Sequence, residues 1–137
     1  MPELREDEAG AMLAGARLLI VEDDGILLME LEWLLGDAGA EAVVSCATVA
    51  DALAAADRER FSGAILDWRL GRETAAPVAT RLTRLKVPFI FYTAQTGMAD
   101  FREWPGSIVV SKPARPREIV AALRAVMPPD APAARTA

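Results

Sequence analysis

The chain has 137 residues, 53% of them apolar and 26% charged, which is the size and balance of one ordinary domain. Twenty acidic against fifteen basic residues leave a net charge of −5, which argues against a broad basic face for DNA or RNA. There is no histidine and one cysteine, Cys46, which excludes histidine acid/base chemistry, His-containing metal sites, a phosphohistidine relay within the chain and an internal disulfide. No apolar run reaches the roughly 18 residues of a membrane span. The acidic start, with Glu3, Glu6, Asp7 and Glu8, is unlike a secretory signal, so a cytoplasmic protein is expected. Residues 1–15 read as an N-terminal extension, 16–127 as the folded domain, and the Pro- and Ala-rich residues 128–137 as a disordered tail.

In chain order, Arg17 to Val21 is a short apolar run of the kind buried on both faces of a parallel sheet, and it stops at Glu22-Asp23-Asp24. Asp24 is placed to cap a helix. In that helix Ile26, Met29, Glu30, Trp33 and Leu34 fall at helical spacing, Leu27, Leu31 and Leu35 broaden the face, and Trp33 is assigned to the core. Gly36 and Gly39 mark its end. Glu41 to Cys46 is a second strand, with Cys46 as a small buried residue, and Thr48 caps an alanine-rich helix over Val49 to Arg58. Ser62 to Leu66 is a third strand ending at Asp67, followed by a polar loop, Trp68 to Glu73, and a helix from Pro77 to Leu85. Pro88 to Tyr92 is the strongest strand signal and ends at Thr93.

Gln95 to Gly106 lacks a helical period and contains Gly97, Pro105 and Gly106, so the expectation is a loop with at most a short helical piece. Phe101 and Trp104 either tether that segment to the sheet or face a partner. Ser107 to Val110 is a fifth strand, followed by Ser111-Lys112-Pro113, and Pro116 to Val126 is a last amphipathic helix. Strand and helix alternate five times, with a short or irregular fourth helix. That pattern implies an α/β fold, a five-stranded parallel sheet with helices on both faces.

In such sheets ligands bind beyond the carboxyl ends of the strands. The chain places Glu22 and Asp23, Asp67, Thr93 and Lys112 at successive strand ends. Any one of them alone reads as a cap, a turn or a solvated charge. Together they form a site in which three carboxylates repel one another, a repulsion that a hard, oxygen-seeking dication such as Mg²⁺ relieves. Lys112 adds a fixed positive charge and Thr93 a hydroxyl. Phosphoryl transfer needs such positioning and charge neutralisation more than covalent work by the protein, and a carboxylate can itself accept the phosphoryl group. Asp67 is the candidate acceptor, with the adjacent Glu22 and Asp23 better placed as metal anchors.

The runs L-I-V-E-D-D, I-L-D, F-Y-T-A and S-K-P, in this order and spacing, resemble the receiver domain of response regulators in two-component signalling. The resemblance covers nearly all of the folded part. It implies a flavodoxin-like (βα)5 fold in which Asp67 is phosphoacceptor and Mg²⁺ ligand. Asp23 would bind the metal directly, Glu22 would do so through water, and the main-chain carbonyl of Arg69 would be a further ligand. Thr93 and Lys112 would hold phosphoryl oxygens, and Ala94 would be the usual small residue after the threonine. It also implies a sensor histidine kinase as donor. No output domain fits in a tail of about ten residues, so the expected output is a partner protein, a return phosphotransfer or self-association as a homodimer. Two departures stand out. The interval from Thr93 to Lys112 is a few residues short, and Val109 stands where many receivers carry an aromatic switch residue. Both are similar to a subgroup typical of alphaproteobacteria, with a P-F-x-F-x-T-G signature and a remodelled fourth helix. Here P-F-I-F-Y-T-A and D-W-R-L-G-R-E-T resemble it, with Ala94 at the glycine position. Two other classes stay open: a receiver-like binding module that is never phosphorylated, and an enzyme working through an aspartyl-phosphate. Such an enzyme usually has a second acid two residues after the nucleophile, where this chain has Arg69.

Overall fold

A computed structural model describes residues 12–94, 97 and 100–128. Side chains on its central strands alternate between two cores, as the period of two along an extended chain requires. On β1 (Arg17–Val21), Leu19 and Val21 join one core while Leu18 and Ile20 join the other. The same division holds on β3 (Gly63–Leu66), with Ala64 and Leu66 against Ile65, and on β6 (Phe89–Thr93), with Phe89 and Phe91 against Ile90 and Tyr92. Burial on both sides explains why these runs are apolar throughout.

The sheet order is β2-β1-β3-β6-β7, all pairs parallel, where β2 is Ala42–Cys46 and β7 is Ile108–Ser111. With a small hairpin set aside, this is the flavodoxin-like order, whose switch point lies beside β1. Helices α2 (Val49–Arg58) and α3 (Ala76–Arg84) cover one face, and α1 (Gly25–Asp37) and α4 (Pro116–Val126) cover the other. No helix of the described residues is long and apolar enough to cross a membrane.

The local signals behave as their chemistry demands. The Ile26 and Leu27 N–H groups donate to Asp24 Oδ1 at 3.0 and 3.2 Å, and Gly39, at φ +98°, follows the end of α1. The Asp51 N–H donates to Thr48 Oγ1 at 3.1 Å at the start of α2. Thr48→Ala is expected to cost about 1 kcal/mol through this lost cap, measured by denaturant unfolding. Cys46 is buried, as its composition suggests.

Three expectations need correction. Trp33 is not a core residue: it is 74% exposed, as are Ile26 at 72% and Met29 at 56%. The face of α1 that packs on the sheet is Leu31 and Leu35, with Leu27, Leu28 and Leu34 half-buried beside them. Apolar residues occupy so many positions of this helix that periodicity selects no single face, and docking decides. The stretch after Asp67 is not a plain loop. It folds into an antiparallel hairpin of β4 (Arg69–Leu70) and β5 (Glu73–Thr74), closed by Gly71 at φ +64° and anchored by the buried Leu70. Several element ends also move by about a residue, which is the usual uncertainty of such boundaries.

Between β6 and β7 the described residues hold a single 3₁₀ turn, Phe101–Glu103. This agrees with a short or irregular fourth helix. Residues 95, 96, 98 and 99 of the segment read as irregular lie outside the described residues, as do 1–11 and 129–137 of the two termini.

Candidate functional site

The parallel order carries the carboxyl ends of β1, β3, β6 and β7 to one edge. Backbone pairing continues one step past the strands. The Glu22 N–H donates to the Cys46 carbonyl at 3.0 Å, the Asp67 N–H to the Val21 carbonyl at 2.9 Å, and the Lys112 N–H to the Thr93 carbonyl at 3.0 Å. These residues therefore stand on rigid backbone.

Lys112 Nζ donates to Glu22 Oε1 at 2.9 Å and to Asp67 Oδ2 at 2.8 Å. It also lies 5.6 Å from the centre of the Tyr92 ring, within cation–π range. Glu22 and Asp67 are buried, Lys112 is half-buried, and Asp23 is exposed at the rim. The Asp24 N–H donates to the second Glu22 oxygen at 3.1 Å. One carboxylate oxygen each from Glu22, Asp23 and Asp67 lies within 4.8 Å of the others. Thr93 is fully buried at the end of β6, and Ala94 after it is exposed. Arg69 is two residues beyond Asp67, at the start of the hairpin, with its side chain in solvent.

The electrostatics follow from burial. Burial pushes the Glu22 carboxyl above its ordinary value and the charge of Asp67 adds to this, while the contacts to Lys112 and the Asp24 amide only partly offset them. Burial alone would lower Lys112, but its hydrogen bonds to Asp67 and Glu22 outweigh this and hold the ammonium above the ordinary lysine value. One cation therefore serves two buried carboxylates, with a third at the rim. An all-oxygen donor set with surplus negative charge suits a hard dication such as Mg²⁺.

The structure thus brings Glu22, Asp23, Asp67 and Lys112 into one cluster, with Thr93 on the same edge. Sequence reasoning missed Gly71. Its N–H donates to Asp23 Oδ2 at 2.8 Å, so the hairpin tip fixes the rim carboxylate across 48 positions of chain. The only sequence signal was the glycine itself, in a stretch read as loop. Also missed was the Tyr92 hydroxyl, which accepts from the Ala114 N–H at 3.2 Å and ties β6 to the chain after Lys112.

Residues 18–124 match the profile of the response regulator receiver domain family. No match appears among curated proteins. Among solved structures, SdrG from Sphingomonas melonis Fr1 is similar at 34% identity and a TM-score of 0.67, over 84% of this chain and 97% of that one. The response regulator PhyR from Brucella abortus is similar at 25% identity and a TM-score of 0.71, over 88% of this chain but 51% of that one, so the present chain spans about half of PhyR. The response regulator TrrA from Thermotoga maritima, solved in complex with Mg²⁺ and BeF, shares the fold at a TM-score of 0.73 and 20% identity, over 82% of this chain and 99% of that one.

Proposed function

This chain belongs to the response regulator receiver domain family, and on that footing we propose that it is the receiver of a response regulator, with Asp67 as its phosphoacceptor. The observation that carries the reading is the bridge from Lys112 Nζ to Asp67 Oδ2 and Glu22 Oε1, beside the Asp23 carboxylate. A histidine kinase is the donor. The P–N bond of its phosphohistidine breaks as a P–O bond forms to an Asp67 carboxylate oxygen, and the leaving imidazole takes a proton from solvent. Lys112 already stands at that carboxylate and balances the charge of the incoming phosphoryl oxygens, with the Thr93 hydroxyl as a second holder.

Glu22, Asp23, Asp67 and the Arg69 carbonyl would hold Mg²⁺, which when bound neutralises phosphoryl charge. TrrA, solved with Mg²⁺ and BeF, supports this choice of ion. Because Arg69 stands where an aspartyl-phosphate hydrolase carries its acid, the chain acts as a signalling acceptor and catalyses only its own phosphorylation and dephosphorylation. The modified domain then alters its affinity for an output protein or for a second copy. Its own P-F-I-F-Y-T-A run, and the 3₁₀ turn that is the one helical piece among the described residues between β6 and β7, support a place in the alphaproteobacterial subgroup.

Incubation with a small-molecule phosphodonor and Mg²⁺ tests the acceptor. Intact mass should rise by one phosphoryl group in the parent and not in Asp67→Asn. No gain in the parent, or a gain that survives Asp67→Asn, refutes the assignment.

A further inference from the structure

Val109 cannot act as an aromatic switch, yet the core beside it is rich in rings. Phe91 pairs with Val109 across β6 and β7, and Val109 packs against the same apolar cluster. The aromatic mass comes instead from two loops. Trp68, the residue after Asp67, lies with its ring centre 5.9 Å from Phe91, 5.5 Å from Phe101 and 5.8 Å from Trp104. Phe101 and Trp104 in turn lie 4.7 and 5.6 Å from Phe91. All are within the range of favourable ring pairs, most of them edge-on or tilted.

The members differ in freedom. Phe91 is fully buried on a central strand. Trp68, Phe101 and Trp104 sit on connecting segments, and Trp68 and Phe101 are only half-buried. Trp68 is covalently next to the site. The Asp67 carboxylate precedes it, the Arg69 carbonyl follows it, and its own carbonyl accepts from the Ala75 N–H at 2.8 Å. A shift of residues 67–69 would therefore bear, through the Trp68 ring, on Phe101 and Trp104, with the buried Phe91 behind them. Trp104 carries the shift onward. Its carbonyl accepts from both the N–H and the hydroxyl of Ser107, at 3.0 and 2.7 Å, and Ser107 leads into β7. Trp104 also lines a largely apolar cleft of about 390 Å³ with Pro88 and Phe89, at the sheet edge opposite Asp67.

We propose that Trp68 couples the state of Asp67 to the Phe101–Ser107 segment through this ring cluster, in the place that an aromatic at Val109 would otherwise fill. Trp68 is a positioning residue here: it touches rings, not the phosphoryl group. The coupling rests on the reading of Asp67 as phosphoacceptor.

The test is amide hydrogen exchange at Trp104 and Ser107, with and without phosphodonor and Mg²⁺, with intact mass read from the same samples. In the parent, exchange at these amides should change on the order of threefold or more on phosphorylation. Trp68→Ala should still gain one phosphoryl group but lose this response, and Trp68→Phe should restore part of it. A response in Trp68→Ala equal to the parent's overturns the coupling, as does a parent that gains mass with no change at these amides. If Trp68→Ala does not fold, Trp68→Leu takes its place, and a full response there is equally fatal. A parent that gains no mass overturns both the acceptor assignment and the coupling.

Discussion

Lys112→Met is expected to cost about 3 kcal/mol at neutral pH, because it leaves two buried carboxylates facing each other without their cation. The mechanism is the pair of hydrogen bonds that Nζ donates to Glu22 and Asp67, in a site where both acids are removed from water. The pH dependence follows from Glu22. Its folded-state value already lies above the ordinary carboxylate value. A group raised in this way contributes stability that is present below its unfolded value and lost as pH rises through its folded value. Removing Lys112 raises Glu22 further, so the variant should lie nearest the parent in mild acid and fall away as pH climbs through the carboxylate range. In the parent, Lys112 is itself raised, so its contribution persists to alkaline pH and is lost only above the ordinary lysine value. Added Mg²⁺ should narrow the gap, since an ion that binds only the folded site stabilises by mass action. Denaturant melts at a series of pH values, with and without Mg²⁺, check this. A variant equally stable at all pH values would contradict a bridging role for Lys112.

A second large effect separates two neighbours on α1. Leu31→Ala should cost about 2–5 kcal/mol, because Leu31 is buried in the core cluster that also holds residues of the sheet and α4, and truncation leaves a cavity. Trp33→Ala, two residues on, should stay within about 0.5 kcal/mol, because its ring lies in solvent. Side-by-side unfolding curves decide it. The contrast also makes Trp33→Ala a clean probe of partner binding, since an affinity change there would not be a stability effect in disguise.

That contrast shows where sequence reading stops. Asp24 and Thr48 were legible as caps because a cap is a contact within three residues, written where it acts. The strand-end residues were legible because a parallel sheet carries every strand's end to one edge, whatever the details. The working face of α1 was not, since Ile26, Leu27, Leu28, Met29, Leu31, Trp33, Leu34 and Leu35 wrap most of the helix in apolar side chains. The hairpin after Asp67 has strands of two residues, too short to show any period. The Gly71–Asp23 contact spans 48 positions and leaves no local trace. Phe101 and Trp104 had two readings, and the ring contacts with Phe91 and Trp68 favour the tether.

The long reach of the site has a consequence for how it comes into being. Lys112 is 90 positions after Glu22 and 45 after Asp67. On the ribosome, both acids are made and their strands can pair long before the lysine exists. While the 45 residues from Asp67 to Lys112 are made, the two acids stand without their lysine, and long-range closure of this kind is the slow part of folding. Emergence of the last strand and its lysine is then what completes the cluster, so a product cut short before Ile108 would carry Glu22 and Asp67 without the ammonium that bridges them.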